Sequence, residues 1–498
     1  RGGGSGSERG SRRASRENSV QGGRRESVGS AAWLCVVIIL LLNVMNYADR
    51  FVLSAVLPGI ASDLALSDAH AGLLGSMFVV SMVVWSPLFA VLADAYPQKR
   101  TSVLVPCGAV LWSAATLASG LARSYASLLV SRVVVGVGEA AFGPVASVLL
   151  CELVPASIRA RVLGLYAMTA PIGASLGYLV GAGLSTYFSS WRAPFYVAAV
   201  TGAVLALVCA AQTVPTPAFH GHVACGETLS QQLSDITESH EALDQSKAQP
   251  RSQLRSQLKL QIRRVIEVIS NSSWIFVTAS MTLTSAVIGP LAHWMPSIIS
   301  RSFSMSPEAA SAHVGAVSIL TGVGGSLAGG FLADYLATRQ LLQHPHVQPC
   351  LVYLVLSAPC AALLAFATDL HVALIALACS QVLIFATFSP LNLVIVQTAA
   401  SANRSLALSL TICSLHVFGD APAMWLFGVV SDRFTHPTFP SSLTPSANGL
   451  RLAVLLSSLP LLLSGLALLP ALLAAPRQPQ PASPSEPSPT SSLLCSSP

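Results

Sequence analysis

Apolar residues run along most of this chain in long blocks rather than in strict alternation. Each block is about 20 residues, the length of an α-helix that crosses the hydrocarbon of a bilayer. Twelve spans are predicted: 33–58, 70–93, 101–121, 126–151, 161–186, 192–212, 273–298, 308–333, 350–367, 371–396, 406–430 and 450–474. A long polar stretch, 213–272, divides six from six. The pattern predicts an all-α membrane protein of twelve transmembrane helices in two six-helix lobes, 31–212 and 273–475. The basic tail 1–30 and the Pro/Ser-rich tail 476–498 read as disordered. So does the upstream part of the central loop.

Within that loop, SQLRSQLKLQIRRVIEVI (252–269) sets Leu254, Leu258, Ile262, Val265, Ile266 and Ile269 on one helical stripe. Arg and Lys take the other faces. This is a basic amphipathic helix, lying on the membrane or packing under the bundle. A packing element joining the halves is the favoured reading.

Composition agrees with the pattern. Of 498 residues, 53% are hydrophobic and only 10% charged, with mean hydropathy +0.64. A soluble domain carries about 25% charge. The chain opens on Arg1, so it is expected to lack its true start. No cleavable secretory signal is expected, because the first apolar block is long enough to span and stay. Most of the ten cysteines fall inside apolar blocks as small buried hydrophobes. No CxxC pair or Cys/His ligand spacing occurs, and no phosphate loop or nucleophile elbow, so neither metal, cofactor nor enzyme activity is expected. The terminal CSSP lacks the aliphatic middle residues of a prenylation signal.

Charge placement orients the spans. With both termini cytoplasmic, twenty of the 27 Lys and Arg fall on the inner side and five on the outer, Arg451 among them. The remaining two, Arg50 and Arg132, lie within spans. That bias is the positive-inside pattern. The net charge of +6 then needs no nucleic-acid partner, because anionic lipid of the inner leaflet suffices. The sequons at Asn271 and Asn403 fall on the inner side and are expected to be unmodified. The halves also echo each other: span 2 ends AVLAD at Asp94, and span 8 ends GFLAD at Asp334, each followed by basic residues. Repeated six-helix halves are a transporter signature.

Five ionisable residues lie well inside spans: Asp49, Arg50, Arg132, Glu139 and Asp420. Each costs about 3 kcal/mol or more at the bilayer centre, so such residues are functional candidates, with a structural ion pair as the alternative. At 1.5 Å per residue, Asp49 lies roughly 24 Å from the inner edge and Arg132 roughly 21 Å. They can pair if spans 1 and 4 are neighbours. Arg132 and Glu139, seven apart, share a face of span 4. Gly136 lies between them and leaves room for a ligand or another helix. Arg50 points about 100° from Asp49, toward a structural role or polar groups of the other lobe. Gly173, Gly177 and Gly181 recur every four residues as a close-packing face, and Pro171 is expected to bend span 5. TGVGGSLAGG (321–330) is likewise a packing or sliding surface.

The motifs NYADRF (46–51), SRVVVGVGEAAF (131–142), YAMTAPIGASLGYLVG (166–181) and SLHVFGDAPAMWLFGVVSDR (414–433) carry a resemblance. The chain resembles the major facilitator superfamily, and within it the spinster-type sphingolipid and lysophospholipid transporters. The resemblance covers about 33–212 and 273–435. It implies a two-lobe, alternating-access carrier, with Asp49 as a protonation site beside Arg132 and with Glu139 lining the same cavity. Tyr47, Arg50, His416 and Asp420 are secondary candidates within the same motifs. The family's gating loop after span 2 survives in Asp94, Lys99 and Arg100, with Asp334 as counterpart. Ala90 and Ala95 replace its leading Gly and a basic residue.

The leading expectation is a proton-linked carrier of an amphipathic anionic lipid. Arg132 would hold the head group through charge-assisted bonds, and protonating Asp49 would release Arg132 to do so. A carrier of a small soluble anion and a non-transporting receptor or scaffold are the alternatives. Polar residues in spans 7 and 10 are few (Thr282, Thr284, His293, Gln381, Asn392), which favours a lipid tail. The expected partners are the lipid, protons and the membrane, around a monomer. Both the plasma membrane and an endolysosomal or vacuolar membrane accommodate this reading.

Overall fold

The computed structural model describes residues 30–95, 103–211, 250–400, 403–434 and 445–474. Their secondary structure is helical throughout. In chain order the helices are α1 (Ser30–Asp63), α2 (Asp68–Ala95), α3 (Val105–Leu121), α4 (Tyr125–Leu153), α5 (Ala156–Tyr187), α6 (Ala193–Ala211) and α7 (Pro250–Ile269). There follow α8 (Ser272–Phe303), α9 (Pro307–Thr338), α10 (Gln348–Phe366), α11 (Leu370–Thr398) and α12 (Arg404–Ser414). A six-residue π-turn, Leu415–Asp420, joins α12 to α13 (Ala421–Arg433), and α14 (Pro445–Leu466) runs into α15 (Leu468–Ala474). Among the described residues, 11 stretches are long and apolar enough to cross a membrane, and α3 is a shorter apolar helix. The end where α1 finishes and α2 begins is called the far end; the end where α1 and α8 begin is the near end.

Short polar caps start these apolar helices where the sequence supplies them. Ser124 accepts from the Ser127 amide ahead of α4, and Ser306 does the same for Ala309 ahead of α9. Asp369 accepts from the His371 and Val372 amides of α11. Each cap satisfies donors that the first helical turn leaves open. Asn271, one of the two sequon asparagines, caps α8 and also donates to the Thr398 carbonyl of α11, 3.0 Å away.

Packing repeats in the two halves. In the first, α2 and α3 pack on α4, and α3 on α6; in the second, α9 and α10 pack on α11, and α10 on α14. The glycine faces work as predicted. A side chain at Gly173 or Gly177 would strike the Val44 or Ala48 carbonyl, so α5 lies directly against α1. Gly325 and Gly329 bring α9 onto Val382 and Ala386 of α11. Between halves, α2 meets α13 and α5 meets α9. There Gly322 rests on Pro171, and Ser175 donates to the Gly315 carbonyl at 2.9 Å.

Helix α7 forms where the stripe predicts, and its principal contacts are α8 and α12, both of the second half. Arg451 lies inside α14, not in an outer loop, and is 1% exposed. The charge count assigns it to the outer side although it falls at the edge of the predicted span 450–474; the helix begins earlier, at Pro445, and buries Arg451 in the bundle.

Candidate functional site

Helix α1 carries its charges past two partner helices. Asp49 turns toward α3 and α4: Thr116 donates to Asp49 Oδ2 at 2.8 Å, and Arg132 Nη1 lies 3.7 Å from the same oxygen. Arg50, one residue on, turns the other way around α1. Its Nε donates to Glu139 Oε2 at 2.7 Å, and Nη2 lies 2.6 Å from that oxygen. The two carboxylates and two arginines are thus crossed between α1 and α4. Phe78 of α2 separates them, its ring 5.2 Å from the Arg50 guanidinium and 5.3 Å from that of Arg132. The Tyr47 ring also lies against the Arg50 guanidinium, at 4.9 Å. Such cation–π contacts strengthen when water is excluded.

Burial distinguishes the pairs. The Asp49 and Arg132 side chains are 2% and 1% exposed, whereas Arg50 is 22% exposed and Glu139 not at all. The cluster is also incompletely bonded. Among the described residues, Asp49 Oδ1, Arg132 Nε and Nη1, Glu139 Oε1 and Asn46 Nδ2 are buried without a hydrogen-bond partner. Unpaired polar atoms in a dry site cost about 1–3 kcal/mol each. This arrangement is therefore strained toward an additional partner or a second set of pairings. The space at Gly136 between Arg132 and Glu139 is filled by a helix, since a Cβ there would meet the Phe78 carbonyl and Ser81 of α2.

The second half contributes His416 and Asp420. Pro422 lacks the N–H that would continue an α-ladder, and the turn just before it widens, with the Ala421 amide bonding back to the His416 carbonyl. Such π-turns are rare and frequent at functional sites. Here the turn sets His416 Nδ1 2.9 Å from Asp420 Oδ2. Gly289 of α8 gives Asp420 room to approach. Asp420 lies within electrostatic range of Arg50 across the interface.

The far end is closed by residues the sequence did not single out. Arg301, at the end of α8, holds Asp68 of α2 with two 2.7 Å bonds. Ser431 donates to Asp68 Oδ2 at 2.6 Å. Asp432 accepts from the Asp68 and Ala69 amides at 2.9 and 2.8 Å, so a carboxylate of the second half caps a helix of the first. His293, buried on α8, lies 3.2 Å from the Ala71 carbonyl and 3.5 Å from Ser54 Oγ. Tyr178 bonds the Ala292 carbonyl alongside. Of the residues expected at the near-end gate, Asp334 is exposed. The Asp94 side chain, Lys99 and Arg100 lie outside the described residues.

The Major Facilitator Superfamily profile matches residues 39–415. The "Protein spinster" of Drosophila melanogaster is 27% identical over 426 residues, covering 82% of this chain and 63% of that protein, under two thirds of its length. The "Sphingosine-1-phosphate transporter SPNS2" of Mus musculus is 26% identical over 421 residues, covering 82% and 71%. Among solved structures, a bacterial homolog of the human lysosomal transporter spinster, inward-facing and unoccupied, superposes with a TM-score of 0.73. It shares 18% identity and covers 90% of this chain and 98% of that one.

Proposed function

Since the chain belongs to the Major Facilitator Superfamily, we propose that it is a secondary transporter moving an amphipathic anionic lipid across a membrane by alternating access. The lipid is a sphingolipid or lysophospholipid; the mouse relative is named as a sphingosine-1-phosphate transporter, which supports the first. The observation that carries this is the crossed quartet Asp49, Arg50, Arg132 and Glu139, set between apolar helices of the first half with Arg50 in electrostatic range of Asp420 of the second. Helix α3 serves as the twelfth crossing, both termini are cytoplasmic, and the carrier works as a monomer.

The quartet acts as a relay. Arg50 is the arginine open to the interface, so it meets the phosphate head group first, with His416 and Asp420 opposite. Arg132 is held behind by Asp49. Protonating Asp49 frees Arg132, which turns to Glu139 two helical turns along the same face; Glu139 then releases Arg50 to the lipid. Deprotonation restores the resting pairs and ejects the head group. The apolar tail lies between the halves. Opening the far end requires Asp68 to part from Arg301, Ser431 and Asp432 while the near end closes.

Flux of labelled sphingosine phosphate or lysolipid into proteoliposomes under a pH gradient tests this reading. Gradient-dependent lipid flux is expected. Flux of a soluble organic anion without lipid flux would move the cargo to that class, and binding without flux would make the protein a receptor.

A further inference from the structure

We propose that α7 is a membrane-surface anchor, docking the near end of the second half onto an anionic leaflet. Among the described residues, its helix leaves an apolar stripe uncovered. Ile262, Ile266 and Ile269, spaced four and three apart on one face, are 50%, 52% and 45% exposed. The packed side is a different one: Val268 is buried among Trp274, Val277 and their neighbours. An uncovered stripe of this kind needs a partner.

Two observations assign that partner to lipid. The first is continuity. After a two-residue break at Ser270 and Asn271, Ile275 of α8 is also exposed, on a helix apolar and long enough to cross the bilayer. The stripe therefore lies at the level where α8 enters the membrane. The second is charge. Lys259 and Arg263 are exposed beside the stripe and Arg264 is half-buried, against the single acid Glu267 in residues 259–269. Long basic side chains can lay their stems along apolar surface and raise their charges to phosphates. Each cation close to an anionic leaflet strengthens binding about fivefold, so the two that flank the stripe, Lys259 and Arg263, contribute about 25-fold. Because α7 also touches α12, the anchor fixes the helix that leads into the His416 π-turn. The inference rests on the membrane reading but not on the cargo, and flux is not its readout.

Amide hydrogen exchange of the full chain tests it, in nanodiscs of phosphatidylcholine alone and with phosphatidylglycerol added. Exchange across 259–269 should slow by about tenfold or more in the anionic discs. High salt should remove the difference, and so should the combined Lys259→Glu, Arg263→Glu and Arg264→Glu substitutions. Exchange in α1 and α8 reports whether that variant folds; the lipid and salt comparison on the unsubstituted chain stands without it. Equal exchange in both membranes would overturn the proposal. Protection that survives both salt and charge reversal would also overturn it, assigning the stripe to another segment of this chain or a second copy.

Discussion

Two arginines are equally hidden, each 1% exposed, yet their surroundings differ. Arg451 of α14 is fixed by neutral groups. Its Nε donates to Ser302 at 2.9 Å, and Nη1 reaches the Ala365 and Ala367 carbonyls at 3.2 and 2.7 Å, with the Phe303 ring at 5.5 Å. Those carbonyls end α10, where the helix dipole favours a cation. Arg132 of α4 has a carboxylate at 3.7 Å and two nitrogens left without a bond. Arg451 ties three helix ends into one arrangement. The proposed relay has Arg132 exchange partners. On that reading, a buried charge in a membrane helix marks a moving part when its bonding is incomplete and a fastening when it is complete.

Substitutions can break that contrast. Arg132→Ala should reduce lipid flux to background, at least about a hundredfold, because head-group release depends on its repositioning. Combining it with Asp49→Asn, so that no lone carboxylate stays buried, should leave thermal stability in detergent near that of the parent. Arg451→Met should do the reverse. It strands two carbonyls and a serine hydroxyl, costing about 3 kcal/mol, seen as a clear fall in melting temperature. A stable Arg451→Met protein, or an unfolded double variant, would erase the distinction.

Smaller effects sharpen it. Asp68→Ala removes the carboxylate that Arg301 and Ser431 share. Distances between spin labels at the far ends of α2 and α8 should then show an open population enlarged about tenfold, the worth of one charge-assisted bond network. Unchanged distances would mean that the Asp432 cap and the Tyr178 bond hold that end alone. The smallest effect is expected from Thr116→Val, which takes one hydrogen bond from Asp49. Flux should fall about fivefold, the net value of one ordinary hydrogen bond, with stability unaffected. Thr116→Ser should restore it.

Much of this arrangement was legible from residue spacing. Depth counting along α1 and α4 levels Asp49 with Arg132, and the four-residue glycine period marks the close-packing face of α5, whose partner, α1, only the fold supplies. Other features depend on contacts across hundreds of residues. Asp68, Arg301, Ser431 and Asp432 look like ordinary polar residues at span ends, and only the closed interface brings them together. Gly136 has room for either a ligand or a helix in sequence; the position of α2 decides for the helix. The exposure that favours Arg50 over Arg132 for the head group is likewise a property of packing. The π-turn had one readable sign, Gly419 and Pro422 flanking an acid inside an apolar block.

The switch assigned to Asp49 is tested most directly by lipid flux measured across a range of pH in proteoliposomes, comparing the parent with Asp49→Asn. The parent should show flux that changes with pH, and Asp49→Asn, which cannot draw Arg132 back to eject the head group, should show little flux at any pH. A variant that keeps the parent's pH dependence would place the proton elsewhere and contradict the relay.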